Sequence, residues 1–164
     1  MQMIHPRVDA AFRAVVAAST IALALVLQSP GAAAAPEGLH TIPTPHRFAL
    51  LQERLERAVD KHGLAVVAAA SASKGAAARG VKIPGNAVVM VFRNDYAVRM
   101  LEASVPAGIE APLRFYVTEN ADGTATLSWR TPTSVFAPYG SAKLDEMARE
   151  LDTLFEAIGR DASQ

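Results

Sequence analysis

The stretch "PLRFYVTENADGTATLSWRTP", Pro112 to Pro132, decides the fold. Leu113, Phe115 and Val117 alternate with Arg114, Tyr116 and Thr118; after "NADG" the alternation resumes with Ala125, Leu127 and Trp129 against Thr126, Ser128 and Arg130. A period of two on either side of a polar turn predicts a β-hairpin, with Gly123 where a positive φ is commonly needed. The apolar set is expected to meet helices. Arg114, Tyr116 and Arg130 then lie on the opposite face, which must meet water or a partner; Tyr and Arg are enriched at interfaces, so these three residues are the candidate interface of a homodimer or a partner contact.

Upstream of the hairpin, "AVVMVFR" is apolar at successive positions and rich in β-branched residues, the pattern of a central strand. Between the two, Asn94 or Asp95 can cap a short helix, "YAVRMLEAS", that Pro106 and Gly108 end. Further back, "LAVVAAASAS" reads as a strand centred on Val66 and Val67, although its alanines also suit a helix. In "PHRFALLQERLERAVDKHG", Phe48, Leu51, Leu55, Ala58 and Val59 share one helical face, with Thr44 expected as cap, Pro45 as first residue and Gly63 as stop. A short extended segment precedes it. Downstream, "TPTSVFAPYG" reads as a loop, and Ser141 is expected to cap a last helix striped by Leu144, Met147, Leu151, Leu154, Phe155 and Ile158. The order is β-α-β-β-α-β-β-α: an α+β fold, a single antiparallel sheet with helices on one face.

The N-terminus has a different character. Arg7 and Arg13 precede an uncharged apolar run, Ala14 to Leu27, and small residues follow in "QSPGAAAAPEG". This is the form of a secretory signal, residues 1–34, cleaved after Ala34 or retained as a loose anchor. As a helix the run reaches only about 21 Å against a hydrocarbon core of about 30 Å, so no stable membrane span is expected. The expected localisation is periplasmic or secreted, with residues 35–164 forming a single domain. Apart from Arg7, Arg13 and Asp9, the chain carries 14 basic and 15 acidic residues, a balance that offers no argument for nucleic acid. The absence of cysteine removes disulfides, thiolate metal sites and a cysteine nucleophile.

The segments "KGAAARGVKIPGNAVVMVFRND" and "APLRFYVTENADGTATLSWRTPTSV", with their flanking helices, resemble the family catalogued as domain of unknown function 302. The likeness runs from about Leu39 to Ile158 and is most specific over Pro112 to Pro132. It implies an antiparallel sheet with a βαββ(α)ββα-type order and carries no established activity. Where the family pattern has an Asp-His pair, Ser73-Lys74 stands here; Arg93-Asn94-Asp95 and Glu110-Ala111-Pro112 also depart from it.

Candidate chemistry is sparse. His40, His46 and His62, with Met90, Met100 and Met147, are the imidazole and thioether ligands that copper would need, but no two histidines have helical metal-site spacing and the methionines sit in apolar patterns. No metal site or cofactor is assigned. Ser71, Ser73, Ser134 and Ser141 lack a nucleophile elbow, and no histidine follows the hairpin to serve as base. Glu102, Glu110, Glu119 and Asp122 form an acid/base pair only if two of them converge. One asymmetry stands out: between Asp60 and Asp95 there is no acidic residue, while Lys61, Lys74, Arg79, Lys82 and Arg93 fall in that interval. Lys74, Arg79, Lys82 and Arg93 are therefore the candidate anion-binding set, in a Gly/Ala-rich segment whose amides could approach a phosphate, carboxylate or anionic headgroup. A solvated basic loop without a ligand is the competing reading. The expectation for function is non-catalytic binding of a small anionic ligand or a protein partner. The alternative is an enzyme or a copper- or zinc-handling protein with a dispersed site.

Overall fold

In a computed structural model, which describes residues 35–164, five antiparallel strands form one sheet. They are β1 (Leu39–Thr44), β2 (Ala65–Ala70), β3 (Asn86–Phe92), β4 (Leu113–Glu119) and β5 (Ala125–Arg130), in the spatial order β1-β5-β4-β3-β2. The strands from β2 to β5 pair with their sequence neighbours, and β1 closes the far side on β5. The hairpin is present as expected. Its turn is tied by Asn120 N–H to Thr124 O (2.8 Å) and by the Asp122 carboxylate, which accepts from Thr124 N–H (2.9 Å), and Gly123 has φ +81°.

Two long helices cover one face: α1 (Phe48–Lys61) and α5 (Ala142–Ser163). Beneath them, Phe115 stacks on Phe155 with ring centroids 4.6 Å apart, and Leu51, Leu55, Val89, Val117, Leu127 and Ile158 are fully buried. Burying each such side chain contributes about 1.5–3 kcal/mol. The helix α5 also carries a second apolar cluster on its flank. There α3 (Asn94–Ala103), a 3-10 turn at Val105–Glu110 and α4 (Pro132–Phe136) pack Tyr96, Met100, Val135 and Phe136 against Leu144, Met147 and Leu151.

Several local expectations need correction. The segment Pro132 to Tyr139 is not a loop: Thr131 Oγ1 accepts from Ser134 N–H (3.3 Å) and starts α4, with a further 3-10 turn at Ala137–Tyr139. The stretch "KGAAARGVKIPGN" reads in the sequence as an irregular connection with one helical turn through Ala76 to Ala78, but a helix α2 (Ala72–Ala77) follows β2 directly. The helix α1 begins at Phe48 instead of Pro45, because the Thr44 hydroxyl donates to Ala125 O (2.7 Å) and accepts from His46 N–H (3.3 Å), holding the chain in a turn. Ser141 stands at the start of α5, but its hydroxyl bonds Ala103 O (3.4 Å) and caps nothing. β3 lies inside the sheet with one face buried, yet Val88, Met90 and Phe92 point to the uncovered side and are half-exposed. No helix among the described residues is long and apolar enough to cross a membrane; the apolar run Ala14 to Leu27 and the rest of residues 1–34 lie outside the described residues.

Candidate functional site

The uncovered face of the sheet can be read from its register. One row across the strands runs Thr41, Ser128, Tyr116, Val88, Ala70. The next is Leu39 beside Arg130, then Arg114, Met90 and Ala68. Arg114 and Arg130 stand one step past Phe115–Trp129, the last pair of the β4–β5 ladder, so extending that register sets them across from each other on neighbouring strands. The hairpin's own pairing therefore juxtaposes two residues from its opposite arms. Like charges directly opposite each other destabilise a strand pair, and neither guanidinium meets a carboxylate among the described residues. Arg130 Nη2 donates to Ser134 O at 3.3 Å; the Arg114 side chain makes no hydrogen bond among the described residues.

These arginines border a cleft of about 440 Å³. Tyr116 and Ser128 contribute hydroxyls to it, while Leu39, Val88, Leu113, Trp129 and Val135 give it an apolar floor and wall. The Trp129 indole N–H has no hydrogen-bond partner among the described residues. Its ring is held by Phe115 (5.6 Å between centroids), by His40 (5.3 Å) and by Gly159 on α5, where a Cβ would come within 2.6 Å of the indole. The cleft's end is thus anchored to the core.

The basic connection between β2 and β3 is organised differently. Ser71 Oγ accepts from Lys74 N–H (3.1 Å), and Asn86 Oδ1 accepts from Ala72 N–H (2.9 Å) and Ser73 N–H (3.4 Å). The amides that could have cradled an anion at the start of α2 are therefore already satisfied. Lys74, Arg79 and Lys82 are exposed on this connection. Arg93 is not brought to them: it follows the opposite end of β3, its Nε and Nη2 hold the Asp95 carboxylate (2.7 and 3.1 Å), and its guanidinium lies 4.1 Å from the Tyr96 ring centroid. Asp95 is held below the usual carboxylate range chiefly by that Arg93 bond. Arg99 approaches the same ring (5.2 Å) and grips Glu150 with two bonds of 2.7 Å, which lowers the Glu150 pKa.

Most of the remaining candidates have structural occupations. Ser73 bonds both backbone groups of Asn86, and Ser134 donates to Thr131 O (2.8 Å). Glu119 accepts from Gly85 N–H (2.7 Å), and Glu110 accepts from the Tyr139 hydroxyl (2.9 Å), raising the tyrosine's pKa. Met100 and Met147 are core residues, whereas Met90 faces the open side. His62 meets Asp161 at 2.9 Å, beside Lys61 at 2.8 Å. No group of three or more His, Asp or Glu among the described residues is arranged to hold a metal ion. A small cavity of about 40 Å³ in the seam between the two apolar clusters is lined by apolar groups apart from the already engaged Arg93 and Tyr96.

A family model described as "Domain of unknown function DUF302" matches residues 40–159, most of the chain. The chain belongs to that family. A crystal structure of an uncharacterized conserved DUF302 protein from Bacillus stearothermophilus is similar to it with a TM-score of 0.70 at 19% identity, covering 78% of this chain and 99% of its own. At that identity the likeness establishes the DUF302 fold alone. No curated protein matches.

Proposed function

We propose that this chain is an exported, non-catalytic binding domain whose open sheet face takes a small anionic ligand between Arg114 and Arg130. One observation carries the reading: two arginines from neighbouring strands line one cleft, and neither is paired with a carboxylate among the described residues. An anion there removes the repulsion and accepts charge-assisted hydrogen bonds from both forks. Export rests on the charged start, apolar run and small-residue end of residues 1–34, ahead of a single domain at 35–164. N-terminal sequencing of protein recovered from the periplasm or medium is expected to begin near Ala35; an intact Met1 in the membrane fraction contradicts it.

The binding claim is tested by calorimetric titration of the purified protein with a panel of organic and inorganic anions. Binding by at least one, lost in Arg114→Gln and Arg130→Gln and kept in Lys74→Gln/Arg79→Gln, is the expected result. No binding by any of them overturns it. Self-association through the same face is a second reading, favoured by the half-exposed Val88, Met90 and Phe92 on a side that no long helix of the described residues covers. Light scattering over a range of concentrations, with Tyr116→Ala as the disrupting variant, separates the two. Stoichiometric copper or zinc in elemental analysis would instead favour the metal-handling alternative.

A further inference from the structure

Resting on the reading of the Arg114–Arg130 cleft as an anion site, we infer that its ligand is an amphipathic organic anion, held by its charged head at the arginines and by an apolar body lying across β3 toward β2. The first reason is size. About 440 Å³ falls within the range of about 300–1,000 Å³ typical of organic-ligand sites and far exceeds what an inorganic anion displaces.

The second reason is the division of the open face. The two rows that cross the arginines and Tyr116 change character at β3: Arg130, Arg114, Ser128 and Tyr116 lie on β5 and β4, and Met90 and Val88 with Ala68 and Ala70 continue on β3 and β2. Neighbouring strands are about 4.8 Å apart, so an apolar path of about 10 Å leads away from Arg114 and Tyr116 to β2. Along that path there is no charged group. Val88 and Met90 are half-exposed and all of β2 is exposed, with no long helix of the described residues over this side. Apolar surface that meets water here would be removed from it by an acyl or aryl body, while the head satisfies the cations. A charged head beside a dry path is the complement of an amphiphile and is poorly matched to a doubly hydrated ion.

The test is calorimetry on the purified protein with acetate, hexanoate and decanoate, the last below its micelle concentration, and with inorganic phosphate. Affinity is expected to rise from acetate to decanoate by about fourfold per methylene while the chain still lies on β3 and β2. Val88→Thr, which keeps the branched strand-forming shape, is expected to weaken decanoate and leave acetate unchanged; Arg114→Gln is expected to weaken both. Phosphate or acetate binding as tightly as decanoate overturns the inference and leaves the anion site standing. Decanoate binding undiminished in both arginine variants overturns it as mere adsorption to the apolar strip. No binding by any of the four overturns the inference, and the site as a whole then stands or falls on the wider anion panel.

Discussion

Two basic regions of the molecule are built in opposite ways. The connection between β2 and β3 gathers Lys74, Arg79 and Lys82 within a few residues of chain, but its helix start is closed by Ser71 and Asn86, its cations are exposed, and the cleft of about 290 Å³ beside it is lined by Lys82 alone of the three. The open face gathers Arg114 and Arg130 from two strands and sets them over a cleft. On the proposed reading, charge density along a sequence is a poor guide to a site. What matters is whether backbone geometry holds cations together with nothing to neutralise them.

The largest difference between the regions should be in stability. Leu127 lies directly under the open face and is fully buried, so Leu127→Ala should cost about 2–5 kcal/mol in denaturant unfolding. Ile83 in the connection is 40% exposed, and Ile83→Ala should cost less than about 1 kcal/mol. Equal losses would mean that the connection is part of the core. Next in size is binding: Arg114→Gln should lower affinity for a bound anion roughly 10–100-fold, the equivalent of a charged hydrogen bond of about 1.5–3 kcal/mol. The same variant should raise the unliganded protein's stability by about 0.2–1 kcal/mol by removing the cross-strand repulsion. A destabilised Arg114→Gln would show that the two arginines do not oppose each other.

Asn86→Ala sharpens the comparison from the other side. By releasing two amides of α2 it should cost about 0.5–2 kcal/mol, as losing a helix cap does. An unchanged melting temperature would mean that the helix start was not closed by Asn86. Smallest is the effect of acid. Asp95, Glu150 and Asp161 have pKa values held below the ordinary 3.8 for Asp and 4.5 for Glu by Arg93, by Arg99, and by Lys61 with His62, respectively. A depressed folded pKa contributes stability that is full above the ordinary value and is lost as pH falls through the folded one. Melting temperature should thus be level from neutral pH to about 5 and decline below about 4, modestly because these pairs are exposed and screened by salt. Neither basic region supplies Arg99, Lys61 or His62, so the acid decline should persist in Arg114→Gln and in Lys74→Gln/Arg79→Gln alike.

The hairpin, the two long helices and the strand order along the chain were legible because period-two and helical patterns report which side chains face a core. Local starts and stops were not. Thr44 and Ser141 have the chemistry of caps, but tertiary contacts with Ala125 and Ala103 took their hydroxyls. The helix α4 was hidden in a proline-rich stretch whose signal, Thr131 followed by Pro132 and Ser134, is a cap motif too short to stand out. Of the site, Arg114, Tyr116 and Arg130 were legible as the outward set of the hairpin. Their meeting with Val88, Met90 and β2 was not, because register between strands is settled by pairing and cannot be read from either strand alone.

The central claim is that anions go to the open face and not to the basic connection. Nuclear magnetic resonance of the 15N-labelled protein during titration with decanoate reads both regions at once, through arginine Nε–Hε signals and backbone amides. The account predicts shifts at the Arg114 and Arg130 side chains and along Val88 to Met90, with the amides of residues 72–82 unmoved. Shifts concentrated at residues 72–82, with Arg114 and Arg130 unaffected, would contradict it.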